Sequence, residues 1–433
     1  MQTKPRLDFD RALPIFALTF VDVLGLTIVL PLLHLYAVAY GASPLEIGLV
    51  IAAFPLSQLI GVPMMGALSD RYGRKPLLLI SQVTTCFGFI LLGAANSLAL
   101  IILSRVIDGV FGANLSTAQA ALSDITDDST RAQGLGLTGA AFGLGFILGP
   151  AISLIALEFT DNLSIPAYIA AAYSFLSILL TLFLFKETLP PERRGARARG
   201  SIWSMLRSPR INLLLLLMFA QQLIFFGFES LLGLFVLSRL GMLGQGNALI
   251  FIVVGAVLVF VQIGLIGRWS RKYGERRLAQ AALGLLAGGL VLFAATPQQP
   301  HPFYVRQIVE NELRNQALSS TEAVIGDIRV ELPPNGNNGL GGLLWVFAVI
   351  VPIAVGAGLI RPSLNTLMTR RVTGSEYGRV LGLSASVVSA ANAAAPLLGG
   401  LIFQSFGASA PFLIGGVVMG VLFIGSVLLL REG

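Results

Sequence analysis

The chain alternates long apolar runs with short polar turns along almost its whole length. A helix that crosses a bilayer needs about 20 predominantly apolar residues, and twelve runs are long enough. They predict membrane spans at 12–36, 45–66, 76–94, 98–120, 133–156, 166–186, 210–238, 247–267, 278–296, 342–361, 379–403 and 410–430. Only helices and closed barrels satisfy backbone polar groups in lipid, and continuous apolar runs of this length form helices. The pattern therefore predicts an all-α membrane protein with twelve transmembrane helices.

The polar stretch 187–209 divides these spans into two sets of six, and the second set repeats the first. After spans 2 and 8 the same residue types recur at an offset of 201, in Gly66, Ser69, Tyr72, Gly73 and Lys75 and in Gly267, Ser270, Tyr273, Gly274 and Arg276. In spans 5 and 11 the offset is 246, from Leu135-Gly136-Leu137 and Pro150 to Leu381-Gly382-Leu383 and Pro396. The difference equals the 45 residues of 297–341, an insertion between spans 9 and 10. We therefore expect an N-terminal six-helix bundle (1–186), a linker (187–209) and a C-terminal bundle (210–433), built as parallel repeats.

Composition and charge support a membrane protein and exclude several function classes. The chain has 433 residues, of which 55% are hydrophobic and 12% charged, with a mean hydropathy of +0.81. If the N-terminus is cytoplasmic, 24 of the 29 basic residues lie on the cytoplasmic side, including four after span 10 that begin with Arg361. This asymmetry follows the positive-inside pattern, so both termini are expected in the cytoplasm and nucleic acid is not an expected partner. With two histidines, one cysteine and no phosphate-binding loop, we expect no enzyme activity, cofactor or metal site.

A charged turn joins spans 2 and 3, from Gly66 to Lys75. It reads G-A-L-S-D-R-Y-G-R-K and resembles the signature loop G-x-L-[AS]-D-R-x-G-R-[RK] of the major facilitator superfamily at every fixed position. The alternative is an ordinary positive cytoplasmic loop. The resemblance implies a cytoplasmic gate, for which the candidate residues are Gly66, Asp70, Arg71, Gly73, Arg74 and Asp124. We expect Asp70 to face the positive helix end at the start of span 11, near Arg379, and Arg71 or Arg74 to pair with Asp124.

Four charged residues lie well inside the predicted spans: Asp22, Arg105, Asp108 and Glu229. A charge in the hydrocarbon region costs about 3 kcal/mol or more and usually faces a cavity or a partner. Arg105 and Asp108 share a helix face, so they are either a mutually neutralising pair or a pair that exchanges a proton. Asp22 is either the carboxylate that couples a proton to the substrate or a core residue bonded to a neighbouring helix. Glu229, among aromatic residues, either binds a cationic drug or reaches water at the membrane surface.

Further motifs resemble those of the drug–proton antiporters within the same superfamily. Arg105-Val-Ile-Asp108-Gly109 is similar to their fourth-span motif R-x-x-q-G, with Asp108 where glutamine is usual. The segment Asp22-Val-Leu-Gly25 resembles their first-span motif, and Gly145, Gly149 and Pro150 resemble the G-x-x-x-G-P motif of exporters. In that motif the trailing glycines are replaced by Ser153 and Leu154. The resemblance implies a role in proton transfer for Arg105 and makes Asp22 the first choice for the substrate-coupled proton. Asp108 and Glu229 are further candidates for proton coupling because they are carboxylates inside spans.

Two features remain less specified by the pattern. Gln221, Gln222, Phe225 and Trp345 are candidates to line the substrate cavity, because facilitator spans 1, 4, 7 and 10 surround it. The insertion 297–341 contains a potential amphipathic helix at 303–318. We expect it to be a flexible extracytoplasmic excursion, with a structured cap as the alternative.

Together these features favour proton-coupled export of small hydrophobic or cationic drugs by alternating access. The expected protein is a monomer in a plasma membrane of prokaryotic type, surrounded by lipid, with protons and a small molecule as its partners. One alternative is a proton-coupled sugar or metabolite transporter of the same fold. Another is a membrane receptor that uses 297–341 as its binding surface.

Overall fold

The computed structural model describes residues 9–126, 131–160, 162–194, 209–318, 330–369 and 377–429. In the first half span 1 is α1 (Phe9–Val29) followed by a 3-10 turn and α2 (Leu33–Ala39), and span 4 is α5 (Leu98–Phe111) followed by α6 (Asn114–Asp124). Spans 2, 3, 5 and 6 are single helices: α3 (Pro44–Tyr72), α4 (Arg74–Gly93), α7 (Arg131–Phe159) and α8 (Ser164–Phe183). Ser43 begins span 2 with a capping box, in which its side chain accepts from the Glu46 N–H and Glu46 accepts from the Ser43 N–H.

The second half repeats this order and adds one helix. Its spans are α9 (Pro209–Leu240), α10 with α11 (Gly244–Val259 and Ile266–Tyr273), α12 (Glu275–Ala294), α14 (Gly341–Thr369), α15 (Tyr377–Phe406) and α16 (Ala410–Leu429). The added helix is α13 (Arg306–Leu318), within the insertion. Span 10 ends at Thr369 rather than at 361, so Arg361 belongs to the span and not to the loop after it.

Eleven helices of the described residues are long and apolar enough to cross a membrane. The eighth span is the twelfth crossing, and a π-helical segment at Phe260–Leu265 divides it into α10 and α11. A π turn places an extra residue in one turn of the helix, so the helix continues while its regular hydrogen bonding is interrupted. The predicted twelve-span, all-α fold in two six-helix bundles is therefore confirmed.

The two bundles meet along two seams, span 2 against span 11 and span 5 against span 8. Glycines allow the close approach. The position of a Cβ on Gly400 would lie 2.6 Å from the Pro44 carbonyl oxygen, and one on Gly255 would lie 2.8 Å from that of Phe146. Lipid provides no hydrophobic driving force for helix association, so helices in a membrane pack through small residues that allow this close approach. The seams are therefore defined by backbone contacts that tolerate no added side chain.

The bundles are joined at one membrane side, which we call the cap side because it carries the insertion. Here the Leu45 N–H donates to Gln404 (3.2 Å), Asn247 donates to the Pro31 carbonyl (2.5 Å) and Gln245 donates to the Leu157 carbonyl (3.2 Å). We call the opposite side, with the turns at 73 and 274, the basic side. At that side Gly66 has no atom within 4 Å of its Cβ position, and Asp70 is exposed. The three hydrogen bonds therefore hold the described parts of the two bundles together on the cap side.

The described part of the insertion is packed, which differs from the expected flexible excursion. Tyr304 is buried, its hydroxyl donates to the Pro333 carbonyl (2.7 Å), and Asn338 donates to the Tyr304 carbonyl (2.7 Å). The Tyr304 ring covers Gly241, which has a φ of +67° and no side chain to displace the ring. Leu313 of α13 is also buried, and α13 contacts α2. A buried aromatic anchor, which a polar loop composition does not reveal, therefore holds the insertion as a cap.

Candidate functional site

A break in span 4 brings polar groups into the interior of the first bundle. The helix stops at Phe111 and resumes at Asn114, with the Gly112 N–H donating to the Asp108 carbonyl (2.6 Å). The Ser81 hydroxyl donates to the Phe111 carbonyl and accepts from the Ala113 N–H, both at 2.6 Å. Backbone groups in lipid need such partners. The sequence predicted one continuous helix here and missed Ser81, because a neutral serine in a span carries no distinctive signal.

Past this break, Asn114 lies between two of the predicted carboxylates. Its amide donates to the Thr85 hydroxyl (3.3 Å), which donates to Asp108 Oδ1 (2.7 Å), and the Asn114 amide also lies beside the Asp22 carboxyl. Asp22 Oδ1 is buried without a hydrogen-bond partner in the described part of the chain. Asp22 is half-buried whereas Asp108 is buried. The structure thus joins Asp22 and Asp108 in one network, whose intermediate residues sequence reasoning did not identify.

Arg105 closes the other end of this network. Its Nη1 lies 3.6 Å from Asp108 Oδ2, its Nε donates to Ser104 Oγ (3.3 Å), and its guanidinium lies 5.2 Å from the centre of the Phe89 ring. Both charged side chains are 3% exposed. This geometry fits a mutually neutralising pair, since burying either charge alone would be costly. A part in proton transfer stays a prediction.

Glu229 is not part of that network. It lines a small internal cavity of about 10 Å³, comparable with the space that one water molecule needs, at the seam between the two bundles. His34 of span 1 and Asn247 of span 8 line the same cavity, and Gly233, one turn from Glu229, leaves room for the His34 ring. Among described residues, the buried His34 Nε2 has no hydrogen-bond partner. Glu229 therefore faces the other bundle rather than the membrane surface, and His34 and Asn247 are cavity residues that sequence reasoning missed.

The predicted cavity residues fall into two groups. Gln221 and Gln222 are buried in span 7, and Gln222 donates to Asn392 of span 11 (2.7 Å). Phe225 stacks on Phe228 within the second bundle. Trp345 is 37% exposed and its indole N–H donates to the Leu292 carbonyl (2.9 Å), so it lies between spans 9 and 10 on the outer surface. The prediction that Trp345 lines the cavity was wrong, because a tryptophan near a span end satisfies its N–H best beside lipid.

In the charged turn on the basic side, Arg74 connects two helices. Its guanidinium lies between Asp70 (2.6 Å) and Asp124 (2.9 Å) and also reaches Ser69 (3.1 Å). Arg71 is exposed, with its guanidinium 5.3 Å from the Tyr72 ring centre. The expected contact of Asp70 with the start of span 11 falls on 370–376 and on the side chain of Arg379, outside the described residues.

The turn is also fixed to the end of span 6 by Glu187, which sequence reasoning missed. Gly73 has a φ of +107°, which favours glycine, and after it the N–H groups of Arg74 and Lys75 donate to the Glu187 carboxyl (2.9 and 3.1 Å). Partial burial disfavours the ionised form of the Glu187 carboxyl. Hydrogen bonds from these N–H groups and from the Leu189 N–H, together with the charge of the Arg194 guanidinium, favour the ionised form more strongly. The pKa of Glu187 therefore lies below its usual value.

The exporter-like motif packs span 5 against span 1. The Thr27 hydroxyl donates to the Gly145 carbonyl (2.8 Å), and the Cβ positions of Gly145 and Gly149 are filled by Val23 and Thr27. Pro150 follows inside the same helix and is buried. The motif therefore holds span 5 beside the residue that follows Asp22.

Comparisons with known proteins agree with this architecture. A family model described as Major Facilitator Superfamily matches residues 15–308. Multidrug resistance protein 2 of Bacillus subtilis (strain 168) is 25% identical over 408 residues, covering 92% of this chain and 90% of that protein. The class B tetracycline resistance protein of Escherichia coli is 25% identical over 409 residues, covering 89% of this chain and 87% of that protein.

Solved structures show the same fold at lower identity. The human organic anion transporter MFSD10 (TETRAN) has a TM-score of 0.68 at 22% identity, covering 98% of this chain and 100% of that one. The nucleoside transporter NupG has a TM-score of 0.72 at 13% identity, covering 98% of this chain and 99% of that one.

Proposed function

Because this chain belongs to the major facilitator superfamily, a family of transporters rather than enzymes, we propose that it exports small hydrophobic or cationic drugs in exchange for protons. The relatives named as multidrug and tetracycline resistance proteins support drug export. In this proposal the protein is a monomer in a plasma membrane and alternates between states open to either side.

The orientation follows from charge. The turns between spans on the basic side carry most of the basic residues, so the positive-inside pattern assigns that side to the cytoplasm. Both termini then lie in the cytoplasm. In this proposal the described state, whose bundles are hydrogen-bonded to each other on the cap side, is the state in which the exporter accepts its substrate from the cytoplasm.

The observation that carries the proposal is the position of Asp22. Its carboxyl is half-buried inside the membrane, at the open end of the network that continues through Asn114 and Thr85 to Asp108. A carboxyl in such a place is favoured as neutral when desolvated and as charged when water reaches it. A change in which side is open therefore changes its affinity for a proton. That coupling is what antiport requires, because the two states must differ in proton binding.

The test is uptake of ethidium, an aromatic cation, into proteoliposomes with an acidic lumen and a neutral exterior. We expect gradient-driven accumulation by the parent, and loss of that accumulation in Asp22→Asn, which keeps the size of the side chain but cannot release a proton. Glu331→Gln is the matched control, since Glu331 is exposed in the insertion. Accumulation that is indifferent to both the gradient and Asp22→Asn would remove the antiport proposal.

A further inference from the structure

Arg361 is a cation inside span 10, on the face of the helix that points into the protein. At 1.5 Å per residue it lies about 12 Å from the helix end at Thr369. Positions 7 or 11 residues apart return to nearly the same helix face, since a turn takes about 3.6 residues. Ile350, Ala354 and Met368 share the face of Arg361 in this way, and all three are buried.

The lipid-facing side of span 10 lies elsewhere on the helix. It is marked by the exposed apolar residues Leu344, Trp345 and Val351, which lie about 80–160° round the axis from Arg361 at 100° per residue. Arg361 is nevertheless exposed. An exposed residue on the inward face of a spanning helix borders a space within the protein. In the major facilitator fold span 10 lines the gap between the two bundles, so we assign this space to that gap.

Arg361 has no hydrogen bond or ion pair with any described residue. One turn further along span 10 is Asn365, whose Oδ1 is buried and likewise lacks a partner within the described ranges. Placing a guanidinium inside the membrane costs free energy, so such a residue usually pairs with another group or lines a substrate or ion pathway. Its planar fork matches a carboxylate, to which it can donate two parallel hydrogen bonds.

We propose that Arg361, with Asn365 beside it, is an anion subsite of the transport cavity, so that the preferred substrates are aromatic or apolar molecules with a carboxylate or comparable anionic group. Asp22 lies on the first bundle and Arg361 on the second, so the space between the bundles has an acidic and a basic wall. A molecule that carries both charges can contact both walls. This inference rests on the proposed transport function and changes its substrate class, from simple cations to anionic and amphoteric molecules.

The test compares two probes that share one fluorophore, dansylglycine with a carboxylate and dansylcadaverine with an ammonium group. Binding to the detergent-solubilised full chain is followed by dansyl fluorescence. We expect Arg361→Gln to weaken dansylglycine binding about 10-fold, since a hydrogen bond to a charged group contributes about 1.5 kcal/mol or more. Dansylcadaverine binding should be unchanged. Arg361→Lys, which keeps the charge but not the fork, should fall between the parent and Arg361→Gln.

Arg277→Gln is the matched control, an exposed arginine in span 9, and should bind both probes as the parent does. The inference is overturned if the parent does not bind dansylglycine, or if Arg361→Gln binds it as tightly as the parent. It is also overturned if both probes weaken equally, which would indicate a general structural defect. Gradient-driven ethidium uptake by the parent separates the two proposals. If one of these three results is found while the parent still accumulates ethidium, the export proposal stands and only the anion subsite is removed.

Discussion

Thr85 is the residue on which the polar network of the first bundle depends. Its hydroxyl donates to Asp108 and accepts from Asn114, so a single side chain joins the two carboxylate regions. Intramembrane hydrogen bonds average below about 1 kcal/mol, but one that satisfies a buried carboxylate is worth more. Losing the hydroxyl therefore leaves both neighbours short of a partner.

We expect Thr85→Val, which keeps the shape, to lower the thermal unfolding midpoint and slow proton-driven ethidium uptake. Thr84→Val is the matched control. Among the described residues, the Thr84 hydroxyl bonds only to carbonyls of its own helix, those of Ile80 and Ser81. Unfolding midpoints and uptake rates in the same liposomes measure both effects. If the two variants behave alike, Thr85 has no special part in the network.

The residue scale also shows what the sequence can and cannot reveal. Asp22, Arg105 and Asp108 stand out in the sequence because charges are rare in apolar runs. Thr85 and Asn114 do not stand out, because neutral polar residues are common in spans. Their role depends on which side chains of the neighbouring helices they contact. The prediction for Trp345 was wrong for a related reason, because the spacing along span 10 does not show which face of the helix contacts lipid.

At the scale of elements, the charged turn acts as a clamp on the basic-side ends of spans 2, 3 and 4. Arg74 at the start of span 3 holds Asp70 of span 2 and Asp124 of span 4 at once. The arginine fork can donate in two directions, whereas a lysine ammonium is a single point charge on a flexible stem. A positive charge alone therefore does not replace the arginine at this position.

We expect Arg74→Lys to reduce transport several-fold and to raise the trypsin sensitivity of the basic side, with expression preserved. Arg268→Lys provides the control, since Arg268 is an exposed arginine in the equivalent region of the second half. Limited proteolysis and ethidium uptake give independent readouts. Parent-level uptake in Arg74→Lys would mean that positive charge suffices at this turn.

Element boundaries were the weakest sequence-based expectation, for identifiable reasons. Hydropathy located twelve spans but ended span 10 at 361, because Arg361 and Asn365 interrupt the apolar run while the helix continues to Thr369. The break in span 4 and the π segment of span 8 lie inside apolar runs and leave no trace in hydropathy. The cap depends on Tyr304 meeting Gly241, a contact between distant parts of the chain.

On the scale of the whole molecule, the described state depends on the cap-side seam between spans 2 and 11. Gly48 faces the Pro396 carbonyl so closely that a side chain there would displace one of the helices. The Leu45 N–H donates to Gln404 one turn away, at the same end of the seam. Alternating access requires this seam to open and close, so its packing sets the balance between the two states.

We expect Gly48→Ala to shift that balance toward the state that is open on the cap side. The readout is labelling of Asn247→Cys, a buried position that contacts the other bundle on the cap side, by a membrane-impermeant maleimide in a Cys86→Ser background, which removes the chain's single native cysteine. Labelling should be faster in Gly48→Ala than in the parent, because a clash at the seam penalises only the closed state. Gly288→Ala should label as the parent does, since nothing lies within 4 Å of its Cβ position. Equal labelling in all three proteins would show that the seam does not control access from the cap side.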